Sequence, residues 1–472
     1  MAHQRARSPG STVSGHDAMI SARATRLWLI AYVLTASHAS ATVVEVPGVG
    51  ASTIQQGLDV ASAGDSVVVA PGVYTGFGNR DLDFNGKAIT LMADGPAASV
   101  TIDCEYAGSA VRFQSDDHGP SIVSGFVITR APEFAVLASG AGNVKVTECV
   151  FTENQGGACV VASDATLEVT GCVFEDNDTR GIFAEASAVI IRNSMFRGNR
   201  DANGAGGTFV YCELVAIEEC VFSGNAATQR GGALYFDGSW NPGAVTGCTI
   251  VGNSAGEVCG GVYLHAGQSL AFERTILRDN CAPEPGVDLF LFDSDDLNSV
   301  SMTCCALSLA GICCEGQEIE LIGAQVEEKP QFCDPMDCGT APTSSGDYRL
   351  APSSPCTAAA SPCGEWVGAN LGLCLPAGAP VANLQETHRI RVLPNPSRGA
   401  FSIETLSVLP RASELVIISA NGRIARRVGV EAGESRWEWD GLLEDGRSAP
   451  NGVYFLSIPG VVSPSPSGVL QR

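Results

Sequence analysis

Between residues 43 and 300 the chain consists of short β-branched and aromatic runs, each broken off by Asn, Asp or Gly. One phrase recurs: Cys149 to Asn154 (CVFTEN), Cys172 to Asn177 (CVFEDN), Ser194 to Asn199 (SMFRGN), Cys220 to Asn225 (CVFSGN) and Cys248 to Asn253 (CTIVGN). Thr275 to Asn280 (TILRDN) keeps the frame with weaker residues. The asparagines fall 23, 22, 26, 28 and 27 residues apart. A period of that size marks a repeat architecture in which each unit covers its neighbour. The residue types make each unit strands and turns, not helices. The pattern therefore predicts an all-β chain, a parallel β-solenoid with three strands per coil. About ten coils at a strand spacing of ~4.8 Å give a rod roughly 45 to 50 Å long. If successive coils lie in register, Phe151, Phe174, Phe196 and Phe222 form one internal column.

The flanks read differently. Residues 1–41 have the form of an export signal: Arg23 and Arg26, an apolar run from Leu27 to Leu34, then Ala39-Ser40-Ala41 for cleavage. That run is too short to span a bilayer. From Thr53 to Ala61 a short helix is predicted, with Thr53 and Gln56 as a capping box and Gly64 ending it. A helix there would plug the open end of the solenoid that fills residues 42–300. Residues 301–374 are rich in Cys, Pro and Gly and predict a disulfide-bonded cap over the far end. After a linker at 375–388, residues 389–460 alternate strands with Asn-Gly and Asp-Gly turns, the signature of a small β-sandwich. In the tail, 461–472, Pro464 and Pro466 disfavour a paired strand.

The run from Thr53 to Tyr74, together with the coils after it, resembles the right-handed parallel β-helix of the pectin-lyase-like superfamily. The Asn and Gly-Gly phrase is similar to the repeats of polymorphic outer-membrane proteins. Val392 to Ile403, Trp437 to Gly441 and Asn451 to Leu456 resemble the Ig-like domain of flagellar hook-capping proteins and the C-terminal sorting domains of type IX secretion. Those sorting domains end on a basic strand, and this chain does not. The resemblance implies a fold and a cell-surface or extracellular setting; the fold itself hosts many functions.

Charge narrows the partners. A net charge of −23 with three lysines, Lys87, Lys145 and Lys329, leaves no basic stripe for nucleic acid. All 18 Cys follow the signal. In an exported chain they favour disulfides over metal thiolates. Cys304, Cys305, Cys313, Cys314, Cys333, Cys338, Cys356, Cys363 and Cys374 are the disulfide candidates. Cys149, Cys172, Cys220 and Cys248 would stack one coil apart in poor geometry for bonding, and read as free buried thiols.

The Asn series (Asn154, Asn177, Asn199, Asn225, Asn253, Asn280) reads as a structural ladder that satisfies the corner backbone. Candidate chemistry rests on Asp176, Asp178 and Asp201, on adjacent corners with Arg180, Arg200 and Arg230. Glycoside hydrolysis needs two opposed carboxylates, and β-elimination needs a base beside a Ca²⁺-bound uronate. Asp116-Asp117-His118 and Asp293, Asp295 and Asp296 are further acids. The polygalacturonase motifs (Asn-Thr-Asp, Asp-Asp, Gly-His-Gly) are missing. Two readings stand. One is an exported, non-catalytic, monomeric rod at the cell surface or outside the cell, structural or binding a polysaccharide or a cell-surface component. It carries a C-terminal attachment or sorting-like module and needs no cofactor. The other is a polysaccharide lyase or glycoside hydrolase using the Asp176/Asp178/Asp201 face, with Ca²⁺ as its one candidate cofactor.

Overall fold

The computed structural model describes residues 42–95, 99–114, 119–140, 142–238, 243–265, 267–283, 287–292, 298–313, 318–374, 390–393, 400–405, 413–419, 424–431, 435–450, 452–457 and 467–470. The export-signal region, the linker, Asp116 to His118, Asp293 to Asp296 and Cys314 lie outside the described residues.

From Val43 to Ile322 the chain winds through three long parallel sheets, numbered here in the order it visits them. A short fourth, of Arg200–Asn203, Ala226–Arg230 and Ser254–Ala255, lies between sheets 2 and 3. Sheet 1 has twelve strands, from Val43–Val46 to Glu318–Ile322. Sheet 2 has ten, from Gly72–Tyr74 to Ala306–Leu307. Sheet 3 has ten, from Leu82–Asp83 to Ile312–Cys313. Ten complete coils result, in agreement with the repeat count.

Registration is one-to-one. Phe151 pairs with Phe174, Phe174 with Phe196 and Phe196 with Phe222. Their rings stack inside the rod at centroid distances of 4.6, 4.5 and 4.6 Å, within 6° of parallel. Alternation explains the inward column: in Val173-Phe174-Glu175 only the central residue is buried. From the third coil onward each corner from sheet 1 to sheet 2 turns on a single positive-φ residue, namely Gly125, Glu148, Gly171, Asn193, Glu219, Gly247, Arg274 and Cys304. One left-handed residue per corner is enough to redirect a strand.

The N-terminal helix runs from Ile54 to Val60. Thr53 accepts the Gln56 N–H through its side chain, while the Gln56 carboxamide reaches back to Ser52, not Thr53. Its Ile54 and Leu58 are buried against the first coil. Ala61, not Gly64, caps its C-terminus.

Residues 326–374 begin against the last coil, where Val326 bridges Ala306. They return as a strap along the outer face of sheet 2. Thr343 N–H donates to Gly224 O at 2.8 Å, Ser344 Oγ to Asp176 Oδ2 at 2.7 Å, and Ala369 N–H to Thr249 Oγ1 at 3.0 Å. The reason is the face itself: under the strap the outward residues of sheet 2 are apolar or small, and Val221, Val251 and Ile276 are buried there. Two disulfides bolt the strap to the coils, Cys281–Cys338 and Cys304–Cys363, and Cys333–Cys374 closes it on itself. Cys281, read with the repeat, is thus a bonding partner. Three disulfide candidates are free thiols: Cys305 and Cys356 are buried and Cys313 is half-buried. Cys305 belongs to the rod core, whereas Cys304 beside it packs with the strap.

C-terminally, Ile390–Leu393, Phe401–Thr405 and Arg436–Trp439 form one antiparallel sheet. Ile424–Val430, Ser413–Ser419, Gly452–Ser457 and Ser467–Leu470 form another. Together they enclose a separate core of Ile403, Leu415, Ile417, Trp437, Trp439, Tyr454 and Leu456. The expectation of an unpaired tail fails at its end, since Ser467–Leu470 pairs antiparallel with the strand before it. The prolines precede this strand, so its N–H donors are intact.

Candidate functional site

Two ladders run up the corners of the rod. In the first, each Asn between sheets 2 and 3 donates its Nδ2–H to the Oδ1 of the next: Asn154 to Asn177 at 3.1 Å, Asn177 to Asn199 at 2.8 Å, and Asn199 to Asn225, Asn225 to Asn253 and Asn253 to Asn280 each at 2.9 Å. The same amides donate to backbone carbonyls of the preceding coil, Asn199 to Phe174 O at 2.9 Å. All six asparagines are buried. None reaches solvent, so none lines a sugar groove.

The second ladder contains the cysteines. The Cys172 N–H donates to Ser194 Oγ, Ser194 N–H to Cys220 Sγ, Cys220 N–H to Cys248 Sγ and Cys248 N–H to Thr275 Oγ1, at 3.1 to 3.5 Å. These thiols are therefore acceptors for corner backbone as well as small apolar fillers. Burial pushes the Cys172 and Cys248 thiols well above their ordinary value, the opposite of what a thiolate nucleophile needs.

The predicted acidic face is brought together only in part. Asp176 and Asp178 flank the buried Asn177, and the next coil supplies Arg200 and Asp201. Arg180 Nη2 meets Asp201 Oδ1 at 2.6 Å, the Arg180 N–H donates to Asp201 Oδ2 at 3.1 Å, and the two side chains are 17% and 8% exposed. Asp178 Oδ1 faces Arg200 Nη1 at 3.1 Å on the surface. Asp176 turns away to the strap. Arg230 does not join them; it lies over the Tyr263 ring, 5.5 Å from its centroid. A general acid must be free to reach the substrate, and Asp201 is instead held in its ion pair with Arg180. Among the described residues no group of three or more His, Cys, Asp or Glu is placed to hold a metal ion.

The acids with raised pKa lie elsewhere. Burial lifts Asp288 to about 6, against the hydrogen bonds it accepts from Asn280. Burial also raises Glu219, which accepts the Asn370 N–H of the strap at 3.2 Å. Both carboxylates are thus tied to the scaffold.

Sequence reasoning passed over the outer face of sheet 3. Adjacent strands there place Tyr235 beside Tyr263 beside Phe290, with rings stacked at 5.3 and 5.4 Å. Two residues on in the same strands, Asp237 Oδ1 meets His265 Nδ1 at 2.8 Å, and the His265 ring stacks on Phe292 at 5.0 Å. Burial raises the Tyr235 phenol to about 12, with Asp237 adding to it. The available signal was the repeat period: Tyr235 and Tyr263, like Asp237 and His265, are 28 residues apart.

Residues 109–282 match the family described as the right handed beta helix region. The coils form a right-handed parallel β-helix. No curated protein matches the chain. Among solved structures, it resembles the A-module of a mannuronan C-5 epimerase of Azotobacter vinelandii, at 16% identity over 59% of this chain and 95% of that one, with a TM-score of 0.36. A mannuronic acid specific polysaccharide family 6 lyase from human gut microbiota is 11% identical over 60% of this chain and 82% of that one, with a TM-score of 0.26. A tailspike protein of an Escherichia coli bacteriophage is 12% identical over 92% and 69%, with a TM-score of 0.27.

Proposed function

We propose that this is an exported, non-catalytic β-helix rod that binds a polysaccharide or a cell-surface component outside the cell. In this reading residues 1–41 direct export, and residues 389–460 are an Ig-like attachment or sorting module. The observation that supports it is the state of the acidic face: Asp201 is clamped by Arg180, Asp178 by Arg200 and Asp176 by Ser344 of the strap. A hydrolase or lyase on this face would need those carboxylates turned toward substrate. The three disulfides suit an oxidising compartment.

The test is incubation of the secreted protein with a panel of neutral and anionic polysaccharides, assayed for reducing ends and for unsaturated sugars. No release from any polymer is expected. Release by the wild type that disappears in Asp178→Asn or Asp201→Asn would overturn the reading. Mass spectrometry of the secreted chain tests the last module: recovery of Trp437 peptides fits attachment, and their loss fits a cleaved sorting tag.

A further inference from the structure

On the outer face of sheet 3, successive coils bring Asp237, His265 and Phe292 into register, and Tyr211 stands on the neighbouring corner, one position past that row. Tyr211 is 61% exposed. Its ring lies across Gly238 in the next coil, where a Cβ would come within 2.1 Å of it, so a side chain at 238 would lift the ring off. That coil also carries Asp237, the following one His265, and the one after that Phe292, which is 37% exposed. Asp237 and His265 are bonded to each other, and their side chains remain 29% and 33% exposed. Beneath them the packed column of Tyr235, Tyr263 and Phe290 fixes the strands, and Arg230 over Tyr263 closes one side.

We propose that the row Asp237–His265–Phe292, with the Tyr211 ring on the corner beside its first member, is a binding site for a neutral linear polysaccharide lying along the rod axis. The inference rests on the binding-rod reading above and gives it a ligand class and a place. Each coil advances ~4.8 Å, close to the length of one pyranose unit, so the row spans about three sugars. Exposed rings at its two ends offer apolar faces for the C–H faces of pyranoses. The carboxylate and imidazole between them supply an acceptor and a second polar group for hydroxyls, held at fixed spacing by their mutual hydrogen bond. Charge selects against polyanions: the chain carries −23 overall, and Asp237 stands in the row.

The experiment is affinity electrophoresis of the secreted protein in native gels containing dextran, laminarin, mannan, xyloglucan or hydroxyethylcellulose, with a polyuronate gel for comparison. Retardation by at least one neutral polymer is expected. Phe292→Ala, Tyr211→Ala and Asp237→Asn should each weaken it at least tenfold. Glu168→Gln, on the outer face of sheet 1, should leave it unchanged. Circular dichroism and melting of each variant verify folding, and the two exposed aromatics can be removed without opening the core. Failure to bind any neutral polymer, binding to polyuronate alone, or binding indifferent to all three substitutions would overturn the site. Release of sugars from a bound polymer would instead overturn the non-catalytic reading and leave the site standing.

Discussion

Asn280 donates both its backbone N–H and its Nδ2–H to one oxygen of Asp288, each at 3.0 Å. Asp288 is the acidic last rung of the asparagine ladder, 2% exposed. Its pKa of about 6 lies above the ordinary 3.8, so the native state holds this proton more tightly than the unfolded chain does. Its contribution to stability is greatest below about pH 4, declines as pH rises through 6, and is level above that. The swing is on the order of 2–3 kcal/mol. Asp288→Asn should abolish it and should raise stability at pH 8 relative to wild type. Urea denaturation of both proteins at pH 4.5 and 8 reads the difference; equal pH dependence in the two would refute the assignment.

Breaking the ladder in its middle should be expensive. Asn199→Ala leaves the Asn177 amide and the Phe174 carbonyl buried without their partners. At about 1–3 kcal/mol for each stranded group, a loss of about 2–5 kcal/mol is expected in chemical denaturation. A cost below about 1 kcal/mol would show that the rungs are ornamental.

The thiol ladder makes a chemically sharper forecast. Cys220→Ser keeps an acceptor for the Ser194 N–H and should cost less than about 1 kcal/mol. Cys220→Val fills the space but strands that N–H, costing about 1–3 kcal/mol. If valine proves the milder replacement, the cysteines serve as apolar filler alone.

Releasing the strap is a separate matter from unfolding the rod. The double variant Cys338→Ser, Cys363→Ser removes both bolts, worth roughly 2–4 kcal/mol each to a small exported domain. Limited proteolysis should then cut between residues 326 and 374 while the coils stay intact, and dye binding should report the uncovered Val221, Val251 and Ile276. Unchanged protease resistance would mean that packing alone retains the strap.

The repeat made the rod readable: an in-register coil forces like residues over like, so the phenylalanine column and coil number followed from spacing. The strap was not readable in the same way, because its contacts join residues more than a hundred positions apart, as in Ser344 with Asp176. Yet it left a footprint. The residue before each ladder asparagine is Glu153, then Asp176 where Ser344 of the strap reaches it, then Gly198, Gly224 and Gly252, then Asp279. At Gly224 a Cβ would stand 2.1 Å from Thr343 O, and at Gly252 3.2 Å from Met336 O. Asp279 returns where Lys329 of the strap pairs with it at 2.8 Å. For the acidic triad, spacing alone could not show which arginine each carboxylate meets: Asp201 pairs with Arg180 and Asp178 with Arg200. On sheet 3 the exposed row went unseen because its members fall outside the repeated phrase.

Any pull on the C-terminal module enters the rod at Cys374. From there the covalent path crosses to Cys333, and Cys338 carries it sideways to Cys281. Tension is therefore delivered as shear across several coils at once, and the terminal coil is spared from being peeled away strand by strand. A rod cross-linked this way should resist mechanical unwinding far better than its thin last strands suggest.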